Sequence, residues 1–70
     1  MIIMQRVTQE MLGIWSERNG LEIQYMYGKC KAVDAVTGVT VVPLGTKRQV
    51  LEAIHAIENY KYHVLHMYEI

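Results

Sequence analysis

Cys30 is the only cysteine in this chain of 70 residues, so no intramolecular disulfide can staple the fold. Small secreted domains usually depend on several such bridges, because a chain of this size buries a limited apolar surface. The chain must therefore fold around one hydrophobic core. We expect a single globular domain over residues 1–70, with Cys30 as a small apolar side chain of that core.

The composition is that of an ordinary globular protein, with 51% hydrophobic and 20% charged residues. No apolar run approaches the roughly 20 residues that a membrane-spanning helix needs. Residues 1–4 are apolar but lack the basic flank and small-residue cleavage site of a secretory signal. From these features we expect a cytoplasmic protein without a membrane segment.

The strongest local pattern predicts a helix that starts after Thr46. Thr46 and Gln49 have the spacing of a capping box, in which each side chain accepts a hydrogen bond from the other residue's backbone N–H. An apolar stripe at helical spacing follows the box. Its members are Val50, Leu51, Ile54 and Ile57.

An earlier helix is predicted to begin at Thr8, whose hydroxyl suits an N-cap. Met11, Leu12 and Trp15 then share one helical face, where Trp15 would anchor the helix on a sheet. The sequence Asn19-Gly20 predicts the end of this helix, since glycine suits the left-handed position that follows many helices.

The middle of the chain predicts a β-meander. Some segments alternate apolar with polar residues, and others are rich in β-branched residues; both patterns are typical of strands. Glycine-containing turns at Gly28-Lys29 and Thr37-Gly38 separate these segments. Pro43 lacks a backbone N–H and should end the last strand. The predicted strands cover residues 21–27, 30–36 and 39–42.

The two ends of the chain add a further predicted strand and an optional one. Residues 60–70 alternate with period two and are rich in aromatic side chains, which predicts a final strand. Residues 1–7 form an optional first strand. The fold class is therefore α+β, a two-layer sandwich of an antiparallel sheet of three to four strands and two helices. The order β?-α-β-β-(β)-α-β becomes ferredoxin-like if residues 1–7 form a strand and the middle is one hairpin.

A basic edge is the first candidate site. Lys47 and Arg48 fall in the first turn of the second helix, where the helix dipole disfavours cations. A bound phosphate would compensate, with Gly45 allowing close approach; alternatively, both side chains simply reach solvent, where the repulsion is small. Lys29 and Lys31 on the meander extend this edge, which predicts phosphate or nucleic-acid contact. No P-loop is present.

The order helix, three strands, helix, with basic residues opening the last helix, resembles a double-stranded-RNA-binding domain over residues 8–59. That resemblance implies nucleic-acid binding. The family typically has a third basic residue further along the turn, where this chain has Val50 and Leu51, and the net charge here is zero. We therefore do not assign the chain to the family.

No catalytic or metal site is predicted. His63 and His66 would point to opposite faces of a strand. Ser16 and Cys30 lie in no recognisable nucleophile motif. Aromatic side chains on two predicted strands could stack bases, as those of single-strand binders do. Ordinary packing on the sheet is favoured, since the chain lacks the basic-glycine-aromatic segment of an RNA-recognition motif. These side chains are Tyr25 and Tyr27 on one strand and Tyr60, Tyr62 and Tyr68 on the other. We expect a non-enzymatic protein without metal or cofactor.

The function predicted from the sequence is that of a protein-interaction module. A core this small, followed by a partly apolar final strand, would leave apolar side chains exposed in a monomer. We therefore expect a homodimer, or docking of another protein, through the sheet and the final strand, with nucleic-acid binding at the basic edge as the alternative. The predicted interaction residues are Tyr60, Tyr62, Leu65, Met67 and Tyr68.

Overall fold

A computed structural model describes residues 6–67, including the side chains of residues 6–61. The chain has α+β architecture: a helix, a three-stranded antiparallel meander and a C-terminal helix packed against the sheet. The elements are α1 (Gln9–Arg18), β1 (Leu21–Met26), β2 (Lys29–Asp34), β3 (Thr40–Gly45) and α2 (Lys47–Met67).

Helix α1 has the ends that its sequence predicts. The Thr8 hydroxyl accepts a hydrogen bond from the Met11 backbone N–H at 3.2 Å, as an N-cap does. At the other end, the Asn19 side-chain amide donates to the Trp15 carbonyl at 2.9 Å. Gly20 then takes a φ of +68°, which a residue without a Cβ adopts freely. These contacts confirm the predicted helix and its stop.

The sheet has the order β1-β2-β3, with each strand antiparallel to the next. Strands β1 and β2 are joined by the two-residue turn Tyr27-Gly28, and Met26 pairs with Lys29 across it. The turn lies one residue earlier than predicted. Pairing between β2 and β3 is irregular, with register shifts around Ala32.

The connection from β2 to β3 is organised by Asp34. Its carboxylate accepts hydrogen bonds from the backbone N–H groups of Val36 and Thr37 at 2.8 and 2.9 Å. Gly38 follows with a φ of +76° and donates its N–H to the Asp34 carbonyl at 2.8 Å. The predicted turn at Thr37-Gly38 is therefore part of a loop closed by one aspartate.

Helix α2 begins with the predicted capping box. The Gln49 N–H donates to the Thr46 hydroxyl at 3.2 Å, and the Thr46 N–H donates to the Gln49 side-chain oxygen at 2.9 Å. Both orphan N–H groups are thus satisfied reciprocally.

The core lies between the helices and one face of the sheet. Trp15 from α1 and Ile57 from α2 are partly buried against it. Successive strand residues point to opposite faces, so Cys30 and Ala32 enter the core while Lys31 lies on the other face. The buried cluster comprises Leu12, Leu21, Cys30, Ala32, Val42, Val50, Leu51 and Ile54.

The predicted final strand is wrong, because α2 continues through residues 60–67 to Met67. No glycine or proline interrupts the chain between Ile57 and Met67, so nothing ends the helix there. Aromatic and β-branched side chains lower helix propensity by only a few tenths of a kcal/mol each, which an established helix tolerates. The period-two alternation was therefore coincidental in this segment.

Without that strand, the ferredoxin-like order is wrong as well, and the middle of the chain has three strands rather than one hairpin. The optional first strand falls largely on residues 1–5, which lie outside the described residues; Arg6 and Val7 lead into α1 without regular structure. The observed order is the one on which the resemblance to double-stranded-RNA-binding domains rests. Across the described part of the chain, no helix has the length and apolar character to span a membrane.

Candidate nucleic-acid interface

Three chain segments meet at one end of the molecule, which we call the basic end. It comprises the Tyr27-Gly28 turn, the start of α1 and the start of α2. Gln9 and Tyr25 line the same groove, so the start of α1 lies beside the end of β1. Cys30 pairs with both Tyr25 and Gly45, and α2 begins two residues after Gly45. The short connections of the meander therefore bring all three segments together.

Three of the four predicted cations lie at the basic end. Lys29 is the exposed first residue of β2, and Lys47 and Arg48 open α2. Lys47 lies close enough to Cys30 for its ammonium group to act on the thiol. Lys31 lies two residues further along β2, on the same face of the strand as Lys29, and pairs with Gln24.

Most acidic side chains lie away from this end. Among the described residues, Glu10 in the first turn of α1 shares it, and Glu52 stands about one turn into α2. Near the opposite end, Arg18 forms an ion pair with Glu58 at 3.0 Å. The net charge of zero therefore conceals a separation of charge along the molecule. The other acidic side chains toward the opposite end are Glu17, Glu22 and Asp34.

Tyr27 is the exposed aromatic side chain of the basic end. It is 93% exposed and takes a φ of +53°, and Gly28 after it takes +71°. Positive φ at both central residues is what a type I′ hairpin turn requires, and asparagine or glycine usually supplies the first position. A tyrosine held there costs on the order of 1 kcal/mol. Tyr27 was predicted to end a strand, with the turn one residue later at Gly28-Lys29; it is instead the first central residue of the turn.

The space at Gly45 is filled by the protein itself. A Cβ at this position would lie 2.8 Å from the side-chain oxygen of Gln49. The predicted role of Gly45 in admitting a phosphate is therefore replaced by a role in the capping box. Phosphate contact at this end would fall to the side chains of Lys47 and Arg48.

Two groups that can titrate, the Cys30 thiol and the Tyr25 hydroxyl, lie near the basic end and carry no charge at neutral pH. Burial raises the pKa of the Cys30 thiol, and the nearby Lys47 ammonium opposes this effect more weakly. Burial also raises the pKa of Tyr25, with a smaller contribution from Cys30. Both groups thus stay protonated at neutral pH, and neither cancels the charge of the lysines.

The predicted interaction residues do not form a strand surface. Tyr60 is 71% exposed on α2, and Tyr62, Leu65 and Met67 follow it on the same helix. Residues 60–67 are helical, so the period-two face that the strand prediction required is not formed. Tyr68 lies outside the described residues.

A second cluster joins the helices away from the basic end. The Trp15 and His55 rings meet edge to face with centroids 4.2 Å apart, and the Arg18 guanidinium lies 4.5 Å from the centroid of Trp15. The Nε2 atom of His55 is buried without a hydrogen-bond partner. Contacts of this kind fix the packing of α1 on α2.

The described residues contain no group of three or more His, Cys, Asp or Glu side chains able to hold a metal ion. Comparison of the chain with protein-family models, with curated proteins and with solved structures gave no match.

Proposed function

We propose that this chain is a non-catalytic nucleic-acid-binding domain that contacts phosphates through its basic end. The observation that carries the proposal is the placement of Lys29, Lys47 and Arg48 at the same end of the fold as the exposed Tyr27. Lysine and arginine contacts to phosphate supply most of the non-specific affinity for nucleic acid.

The orientation of the helices supports the same surface. Both α1 and α2 start at the basic end, and a helix N-terminus carries a partial positive charge of roughly half an elementary charge. These partial charges add to those of the three cations. The α-β-β-β-α order supports the proposal as the order shared with double-stranded-RNA-binding domains.

The number of cations sets the expected strength. Three phosphate contacts predict a slope of about −2 to −3 for the logarithm of the binding constant against the logarithm of salt concentration. We therefore expect modest affinity that falls steeply with salt.

Fluorescence anisotropy with labelled RNA and DNA oligonucleotides tests the proposal. Replacing Lys47 and Arg48 by Gln together should weaken binding by about tenfold or more at low salt and reduce the salt slope by about two. Lys61→Gln is the matched control, since Lys61 is exposed on α2 and acts on Asp34 at the opposite end. Equal loss in the control, or no binding by the unaltered protein at low salt, would overturn the proposal.

Self-association is a second candidate, now at β3 rather than at a C-terminal strand. The edge strand β3 and the residue before it expose Val39, Val41 and Leu44 to 62%, 44% and 42%. Exposed apolar edge strands favour pairing with a second chain, although Pro43 removes one backbone donor.

Sedimentation equilibrium distinguishes this candidate from the first. A homodimer formed through β3 should persist at high salt and dissociate in a Val41→Lys variant, whereas Tyr60→Ser should leave it intact. A monomer at all concentrations, or a dimer insensitive to Val41→Lys, would remove β3 as the interface.

A further inference from the structure

Tyr27 is the residue of the basic end whose placement the fold itself does not require. Its side chain is 93% exposed, so it adds almost nothing to the core. Its backbone lies in the left-handed region, where asparagine or glycine would be relaxed. An aromatic ring kept in such a turn is explained by a contact outside the chain.

The surroundings of Tyr27 indicate the chemistry of that contact. The turn is closed by the pair Met26 and Lys29, so a cation lies two residues from Tyr27 along the chain. Lys47 and Arg48 open α2 at the same end. Cations that follow a phosphate backbone, combined with an aromatic ring for the bases, are the two elements of single-strand recognition.

The charges on α1 argue against a long duplex. A protein that reads duplex RNA by shape spans about 16 base pairs, so its contacts extend well beyond one cluster of cations. In this chain the exposed Glu17 lies near the far end of α1, where its carboxylate would repel the phosphates of such a footprint. Paired bases also bury their faces against one another, leaving none for a ring on a hairpin tip.

On the basis of the proposed function, we propose that Tyr27 stacks on an unpaired base, so that the ligand is single-stranded nucleic acid. Lys29, Lys47 and Arg48 hold the flanking phosphates. The recognised chemistry, an unpaired base next to phosphate, is common to RNA and DNA.

The experiment compares single strands of about 12 nucleotides with a hairpin duplex of the same composition, in RNA and in DNA, the hairpin being closed by a non-nucleotide linker so that none of its bases is unpaired. Tyr27→Asn removes the ring and suits the turn, so this variant should fold; Tyr27→Phe is the matched control that keeps the ring. Anisotropy reports affinity, and quenching of a 2-aminopurine base in the strand reports stacking.

We expect the unaltered protein to prefer the single strand and to quench the 2-aminopurine. Tyr27→Asn should lose about tenfold in affinity for the single strand together with the quenching, while its weaker hairpin binding stays unchanged. Tyr27→Phe should bind within about twofold of the unaltered protein. Binding of either the RNA or the DNA strand in this manner supports the inference, and the tighter one identifies the preferred sugar.

A preference for the hairpin, or single-strand binding by Tyr27→Asn equal to that of the unaltered protein, would overturn the inference. That result is distinct from failure of the proposed function itself. If the proposed function itself fails, neither ligand binds at low salt, or replacing Lys47 and Arg48 has no effect on the binding of either ligand.

Discussion

The side chain of Gln49 occupies the space where a Cβ on Gly45 would stand, with only 2.8 Å between that position and the Gln49 side-chain oxygen. The same oxygen accepts the Thr46 N–H at 2.9 Å. The glycine before α2 is thus part of the helix cap, because a side chain there would displace the group that closes the box.

We expect Gly45→Ala to destabilise the protein by about 0.5–1 kcal/mol. The Gln49 amide is the end of a flexible side chain and can move aside, so the loss is that of one capping hydrogen bond rather than of the fold. Urea unfolding of the two proteins measures the difference.

A double-mutant cycle with Gln49→Ala isolates the cause. In that background the alanine at position 45 should cost less than about 0.3 kcal/mol, since no amide remains to be displaced. Equal costs in the two backgrounds would show that the glycine serves another purpose.

Ile54 should be among the positions most sensitive to loss of a methylene. It is fully buried in the core, so Ile54→Val is expected to cost about 0.5–1.5 kcal/mol of unfolding free energy. Ile14→Val removes the same group from a side chain that is 53% exposed and should change stability by less than about 0.5 kcal/mol. Similar values for the two variants in urea unfolding would contradict the placement of the core.

Asp34 should contribute a pH-dependent part of the stability. Hydrogen bonds from the Thr37 and Val36 backbone N–H groups hold the pKa of its carboxyl below the ordinary value, with smaller help from the Thr37 side chain and Lys61. Because the folded pKa is the lower one, the stabilisation is present above the unfolded value of about 3.9 and is lost as pH falls through the folded value.

Thermal unfolding between about pH 6 and pH 2 tests this dependence. Asp34→Asn keeps a side-chain oxygen that can accept the loop hydrogen bonds but cannot ionise, so its Tm should fall less steeply with acid than that of the unaltered protein. Glu22→Gln, which removes one negative charge from an exposed position on β1, serves as the control. Parallel curves for Asp34→Asn and the unaltered protein would refute the role of the carboxylate.

Cys30 should be unreactive in the native protein. The side chain is fully buried and burial raises the pKa of its thiol, so little thiolate forms at neutral pH and reagents lack access. Modification by a disulfide reagent should therefore follow global unfolding and become complete in urea. Rapid modification under native conditions would show that β2 opens locally.

Local sequence determined much of this fold. Thr8 and Asn19-Gly20 bound α1, and Thr46 with Gln49 begins α2, because caps are satisfied by residues within a few positions of one another. The existence of three strands also follows from their own residues, since alternation along a strand separates a core face from an outer face. The prediction that Pro43 ends the last strand is wrong, because β3 continues through Pro43 to Gly45; β3 is an edge strand, where a residue without a backbone N–H is tolerated.

In residues 60–67 the local sequence pattern was not sufficient to predict the secondary structure. Their side chains fit an alternating strand or a continuing helix about equally well, and the deciding fact is that no residue ends α2 after Ile57. A helix already nucleated at Thr46 extends at little cost, whereas a new strand needs a neighbour with which to pair.

The sequence identified the residues of the candidate site, but only the tertiary structure shows which of them lie together. The cations Lys29, Lys47 and Arg48 were evident in the sequence, but their grouping depends on Cys30 pairing with Gly45 across the sheet. Lys31 has the same charge but lies two residues further along β2, away from the Tyr27-Gly28 turn. The sequence by itself determined the caps, the strands and the charges, because these depend on neighbours along the chain; only the tertiary structure decided which of them meet, because that depends on long-range pairing.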